Sequence, residues 1–172
     1  MPLEKRFGYL SKGMKKKLLL IISLSPHPKL LLFDEPISDL DPKAKYDVVE
    51  ELIRAKEEWA PAIFFSSHNI SELSELSEKV IFIDQGQIIQ NDRKINLLSK
   101  WKKIHIIDDK ILNFSGFNDI IHSRYLRGNT REIIVNNYSD KIIKEIREKS
   151  RARIDVFDMN LEQIFLESIK EK

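Results

Sequence analysis

Two adjacent carboxylates, Asp34 and Glu35, close the apolar run LLLFDE, and residue types of this kind at such a place can act on phosphate. At the C-terminal end of a buried strand they would stand where open α/β sheets bind ligands. Asp34 can hold Mg²⁺ through its water shell, because that hard cation takes oxygen ligands. Glu35, leaving the strand end in the other direction, can orient or deprotonate a water for attack on a phosphoryl group. The plainer alternative is a strand that stops before Pro36. His68 follows a second apolar run in FFSSH and would lie along the same sheet edge, in either a structural or a catalytic role. Asp41 before Pro42, in SDLDP, reads first as a turn and helix cap. The stretch YLSKGMKKKL raises a different question. Gly8 and Gly13 have four residues between them and Lys15 close behind, so the segment nearly spells the phosphate-cradling GxxxxGK[ST]. Met14 stands where that lysine belongs, no Ser or Thr follows at the metal position, and no apolar strand runs into Gly8. His27 and His105 show no partner pattern, His122 reads as a strand residue, and no histidine spacing suits a metal.

The elements that must position these groups follow from periodicity. Residues 15–24 predict a helix with a broad buried face, ended by Pro26 and Pro28. Residues 30–33 form a continuous apolar run between prolines and acids, the pattern of a strand buried on both sides of a parallel sheet. Asp41 as N-cap and Pro42 at the first helical position open a helix to about Trp59, with Val48, Val49, Leu52 and Ile53 as its apolar stripe. AIFFSSH is a second buried strand, ISELSELSE a short helix capped near Ser71, and VIFIDQGQIIQND two runs joined around Gln85 and Gly86. Alternating helices and apolar strands argue for an α/β sheet with helices packed on it. Near residue 100 the character changes. IHIID, ILNF, IIHSRYL, REIIVNN and RIDVF read as short strands, with a turn at Gly128 and Asn129. KIIKEIREK is amphipathic, and NLEQIFLESIK is a closing helix. The expected organisation is residues 1–100 as an α/β part and 101–172 as a small α+β appendage.

Composition bounds the partners. The chain has 172 residues, 42% hydrophobic and 33% charged, enough to bury a core in one domain or two small ones. Its 29 basic and 27 acidic residues give a net charge of +2, which does not by itself point to nucleic acid or membrane. The absence of cysteine excludes disulfides, thiolate metal sites and a cysteine nucleophile within the chain. The longest apolar run, 18–22, is far short of the ~20 residues a spanning helix needs, and the N-terminal MPLEKRFGY lacks the apolar core of a secretory signal. Lys12, Lys15, Lys16 and Lys17, with Lys5 and Arg6, read either as a solvated helix face or as a surface for phosphate or anionic lipid. Without interleaved aromatics they give no case for nucleic acid. Trp59 and Trp101 read as packing residues.

Taken together and in this order, YLSKGMKKKL, LLLFDEP, SDLDP and SSH resemble the ATP-binding subunits of ABC transporters over residues 8–92. LSKGM resembles their signature motif, LLLFDE the Walker B strand, SDLD the D-loop and His68 the switch histidine. The resemblance implies the C-terminal portion of a P-loop NTPase sheet with flanking helices. It implies that Ser11 and Gly13 contact the γ-phosphate of ATP held by a second subunit, at a helix start whose dipole favours the anion. Asp34 would help to hold Mg²⁺, Glu35 would act on the attacking water, His68 would hydrogen-bond the γ-phosphate, and Asp41 would meet the partner across the dimer. LSKGM departs from the commoner LSGGQ at Lys12 and Met14, a form similar to exporter-type systems with a separate permease, and NLEQIFLESI resembles the closing helix of those exporter ATPases.

The same resemblance implies what is missing: a glycine-rich loop with Lys and Ser or Thr, an aromatic residue for adenine, and a glutamine after the first helical segment. About half of such a domain is absent, so the expectation is a C-terminal part of an ATPase subunit, as a fragment, truncated product or split gene. It would bind ATP weakly alone and hydrolyse it once the other half is supplied. Its partners would be a second ATP-binding subunit, head to tail, and a membrane permease, with the chain in the cytoplasm against the inner face of the membrane. The alternative is a non-catalytic or regulatory module that lends its signature face to a partner's ATP. Chromosome-maintenance ATPases share these motifs but need long heptad segments, and the chain has none.

Overall fold

A computed structural model describes residues 7–107, 117, 119–149 and 152–170. The chain divides into two compact units, Met1–Leu76 and Ser77–Lys172.

In the first unit, helix α1 spans Lys12–Leu24, starting ahead of the expected residue 15 because Ser11 caps it: the Ser11 hydroxyl accepts from the Met14 amide at 3.2 Å. Strand β1, Leu30–Asp34, pairs in parallel with β2, Ala62–Ser66, in a register that sets Asp34 opposite Ser66. The crossover between them is helix α2, Pro42–Trp59. Asp41 caps it by accepting from the Ala44 amide at 3.0 Å, as the Asp-Pro pair predicts. Leu20, Leu24, Leu31, Ile37, Leu40, Val48, Leu52 and Ala55 form its buried core, with Phe33 and Phe65 packed against them. A short helix α3, Ile70–Leu73, follows. Its cap position is Asn69 rather than the expected Ser71, whose hydroxyl instead donates to the Asn69 side chain at 2.8 Å.

Two expectations are corrected here. The strands are not buried on both sides: Leu30, Leu32 and Phe64 are 55%, 68% and 57% exposed, while Leu31 and Phe33 turn toward the helices. Helix α1 likewise leaves Leu19, Ile21 and Ile22 exposed. The physical reason is that α1 and α2 pack on one face of the pair, where Leu31 and Phe33 point, while the alternate residues point to the other face.

The second unit opens with an antiparallel hairpin, β3 (Lys79–Asp84) and β4 (Gln87–Arg93). Its two-residue turn places Gln85 and Gly86 at φ of +47° and +76°, the positive values such a turn demands. Helix α4, Lys94–Lys100, leads into a four-stranded antiparallel sheet of β5 (Lys102–Ile107), β6 (Ile120–Tyr125), β7 (Thr130–Val135) and β8 (Arg153–Asp158), ordered β6-β7-β5-β8. Helix α5, Asp140–Lys149, lays Ile142, Ile143 and Ile146 on Ile104, Ile106, Ile133 and Val135, and helix α6, Leu161–Lys170, closes the unit. The sequence puts the boundary near residue 100, whereas the division falls ahead of the hairpin. Phe82 of β3 meets Phe165 of α6 edge to face at 5.3 Å, which holds the hairpin to the C-terminal elements. The expected ILNF strand lies outside the described residues. No described helix is long and apolar enough to cross a membrane. The parallel strand–helix–strand of the first unit and the α+β character of the second agree with the expected fold class.

Candidate functional site

The parallel register brings Asp34, Glu35 and His68 to one strand end. Ser66, opposite Asp34 on β2, donates its hydroxyl to Asp34 Oδ1 at 2.5 Å and accepts from the Glu35 amide at 3.2 Å. Glu35 adopts φ of +49°, a left-handed backbone that costs a non-glycine residue roughly 1–3 kcal/mol. Its carbonyl is held in return, accepting from Lys16 Nζ at 3.0 Å and Ser38 Oγ at 3.1 Å. The side chain then reaches His68: Glu35 Oε1 accepts from the His68 amide at 2.9 Å and lies 2.7 Å from His68 Nδ1. Because an ionised carboxylate only accepts, an ionised Glu35 takes the proton of this bond from Nδ1. Glu35 and His68 thus form one pair, with Asp34 linked to it through Ser66.

Ser11, Gly13 and Asp41 gather separately, at the adjoining N-termini of α1 and α2. A Cβ placed on Gly13 would lie 3.5 Å from Leu40 Cδ2 and 3.7 Å from Ala44 Cβ, ordinary van der Waals contact that shows how closely the two helix starts pack. Both caps leave amide donors at the helix starts, where the helix dipoles favour an anion.

Lys12, Lys15, Lys16 and Lys17 of the basic cluster each meet a partner, although Lys12 stays two-thirds exposed; Lys5 and Arg6 lie outside the described residues. Lys12 Nζ sits 2.6 Å from Asp39 Oδ2, and this hydrogen bond, then the lysine charge, holds the Asp39 carboxyl below the usual range. Lys17 binds Asp47 on α2 at 2.7 Å and lowers that carboxyl in the same way. Lys16 gives its ammonium to the turn after β1: besides Glu35 O, it reaches Ser38 O at 2.6 Å and Ser38 Oγ at 2.8 Å. Lys15 lies over the Phe7 ring, 5.5 Å from its centroid. Sequence reasoning missed Lys16, Ser38 and Ser66 as supports of the site. Ser66 becomes visible only once the strand register is known, and Lys16 only once α1 lies beside the turn.

Among the described residues, no group of three His, Cys, Asp or Glu side chains could hold a metal. Asp34 suits a smaller part: it is a single exposed carboxylate at a strand end, as Mg²⁺ shared with phosphate oxygens and waters requires.

Residues 6–74 match a family model described as "AAA domain, putative AbiEii toxin, Type IV TA system". The chain is 33% identical over 89 residues to the metal-staphylopine import system ATP-binding protein CntD of Staphylococcus aureus, covering 52% of this chain and 33% of that protein. The resemblance to ABC ATP-binding subunits is borne out. A second such relative, the Fe(3+) ions import ATP-binding protein FbpC of Haemophilus influenzae, is 29% identical over 136 residues, covering 78% of this chain and 37% of that protein. The ABC transporter ATP-binding protein YtrB of Bacillus subtilis is 22% identical over 165 residues, 96% of this chain and 56% of its own length. The chain therefore spans about a third to a half of these ABC ATP-binding relatives.

Proposed function

We propose that residues 1–100 supply the C-terminal part of an ABC ATPase domain and that residues 101–172 form its appendage. The observation that carries this reading is the Glu35–His68 pair beside Asp34 at the end of a parallel strand pair. Glu35 accepts a proton from the attacking water, and the His68 amide and Nδ1 hold its carboxylate while it does so. With both ring nitrogens protonated, His68 would donate from Nδ1 to Glu35 and from Nε2 to the γ-phosphate. Asp34 would hold Mg²⁺ through water, a cation whose charge offsets that of the phosphates. Ser11 and Gly13 face ATP bound to a second subunit, and Asp41 stands at that subunit's edge.

The phosphate loop comes from the half that the chain lacks, so the chain alone binds Mg-ATP weakly and hydrolyses none. Its partners are a second ATP-binding subunit, arranged head to tail, and a membrane permease, which places it in the cytoplasm against the membrane's inner face. Export as the direction of transport is supported by LSKGM and the closing helix alone, whereas the relatives whose names state a direction are import systems. The non-catalytic alternative is favoured by one observation, the intact α1 N-terminus in a sequence without GxxxxGK[ST].

Joining the chain to a segment that carries the phosphate loop tests the reading. Mg-ATP hydrolysis should appear on joining, with only weak ATP binding by the chain alone in calorimetry. Tight Mg-ATP binding by the isolated chain would contradict it.

A further inference from the structure

Glu35 holds a strained backbone, and the group that fastens its carbonyl comes from a different element. Lys16, on α1, has three ammonium protons and three acceptors in reach: Glu35 O at 3.0 Å, Ser38 O at 2.6 Å and Ser38 Oγ at 2.8 Å. All three belong to the turn between β1 and α2, which is bounded by left-handed residues, Glu35 at φ +49° and Asp39 at φ +57°. The amide side of Glu35 is anchored to β2 through Ser66. Its carbonyl accepts from the Ser38 amide at 3.3 Å, from the Ser38 hydroxyl and from Lys16, which also binds that hydroxyl and is the one donor from another element.

We propose that Lys16 is a positioning residue for Glu35, fixing the strained backbone that aims its carboxylate at His68 and coupling that carboxylate to α1; this rests on the ATPase reading above. The ammonium is part-buried, so removing it takes the charged donor from Ser38 O and leaves Glu35 O to the Ser38 amide and hydroxyl alone, and lost bonds of this kind are costly. The turn then relaxes toward negative φ, where a non-glycine residue is unstrained, and the Glu35 side chain swings off His68. Ser11 and Gly13 lie at the start of the same helix as Lys16. A shift of α1 when that helix start meets a phosphate therefore passes through the Lys16 ammonium to the carbonyl of Glu35. The signature end of the chain and its own hydrolytic group are in this way tied by one side chain.

Two substitutions separate the ammonium from the stem: Lys16→Met keeps the length and loses every donor, while Lys16→Gln keeps an amide that donates twice. The first readout needs no nucleotide. In the full chain, the ¹⁵N signals of the His68 ring should move in Lys16→Met in the same direction as in Glu35→Gln, and Lys16→Gln should return part of the way. The second readout is hydrolysis by the chain joined to its phosphate-loop half. There kcat should fall about 10- to 100-fold in Lys16→Met, the scale of a slightly misplaced catalytic group, with KM for ATP little changed. Circular dichroism identifies any variant that has lost its fold, and Lys16→Gln then carries the comparison. An unmoved His68 signal, with or without a fall in kcat, would overturn the proposal. If instead Glu35→Gln hydrolyses ATP normally, the ATPase reading fails, and the His68 signal still judges Lys16.

Discussion

Of the three sheets among the described residues, the β1–β2 pair and the four-stranded sheet differ most in how far a helix closes them. In the C-terminal sheet, Ile104, Ile106, Ile133 and Val135 are at most 1% exposed beneath α5, and on the other face the buried Glu132 is engaged by His105, Arg124 and Lys103. The N-terminal pair β1–β2 covers one face with α1 and α2 and leaves Leu30, Leu32 and Phe64 more than half exposed on the other. Yet the open pair carries the candidate site residues Asp34 and Glu35, and the other sheet carries none of the motifs. A closed core and a strand end that gathers candidate site residues are separate achievements, and an exposed apolar face of this kind is suited to contact with another surface.

Glu132 offers the sharpest way to break that contrast. Burial alone would raise its carboxyl, but hydrogen bonds from His105 and Arg124, and the charges of Arg124 and Lys103, hold it below the usual range. A depressed folded value means that the stabilisation is complete above the unfolded carboxylate range and is lost as pH falls through the folded value. Glu132→Gln should cost the second unit about 1.5–3 kcal/mol at neutral pH, since it removes the charge that its part-exposed donors Arg124, His105 and Lys103 share, and should flatten the loss of stability in acid. Urea unfolding followed by Trp101, which is 2% exposed in that unit, measures both. Ile133→Ala removes a fully buried side chain and should cost about 2–5 kcal/mol by the same measurement.

On the open pair the expectation reverses. Phe64→Ser should change stability by no more than about 0.5 kcal/mol, as surface replacements do, while lowering self-association in sedimentation. A loss as large as that of Ile133→Ala would show that the face is covered after all. The smallest effect is expected for Lys12→Ala: both Lys12 and Asp39 are about two-thirds exposed, at 67% and 66%, so their pair should add nothing resolvable to urea unfolding.

How much of this could be read beforehand depended on whether a residue's neighbours are close in sequence. Asp41 and Pro42 announced the start of α2, and Gln85–Gly86 and Gly128 announced turns, because capping and positive φ are local properties. Asp34, Glu35 and His68 were legible as strand-end residues. Their connections were not. The link from Glu35 to His68 spans 33 positions and needs the parallel register to exist. His105, which seemed to lack a partner, lies opposite Glu132 only when β5 and β7 pair, and bonds it at 2.9 Å. The apolar run 30–33 suggested burial on both faces because hydropathy records what a strand is suited to, not what is present to cover it.

The central claim is that Glu35, held by His68, is the group that acts on water, and one substitution tests it most directly. In the chain joined to its phosphate-loop half, Glu35→Gln should keep ATP binding and lose hydrolysis by at least about 100-fold, the lower end for a lost general base. Hydrolysis at the unsubstituted rate would contradict the account and leave the chain as a module that only presents its helix N-termini to a partner's nucleotide.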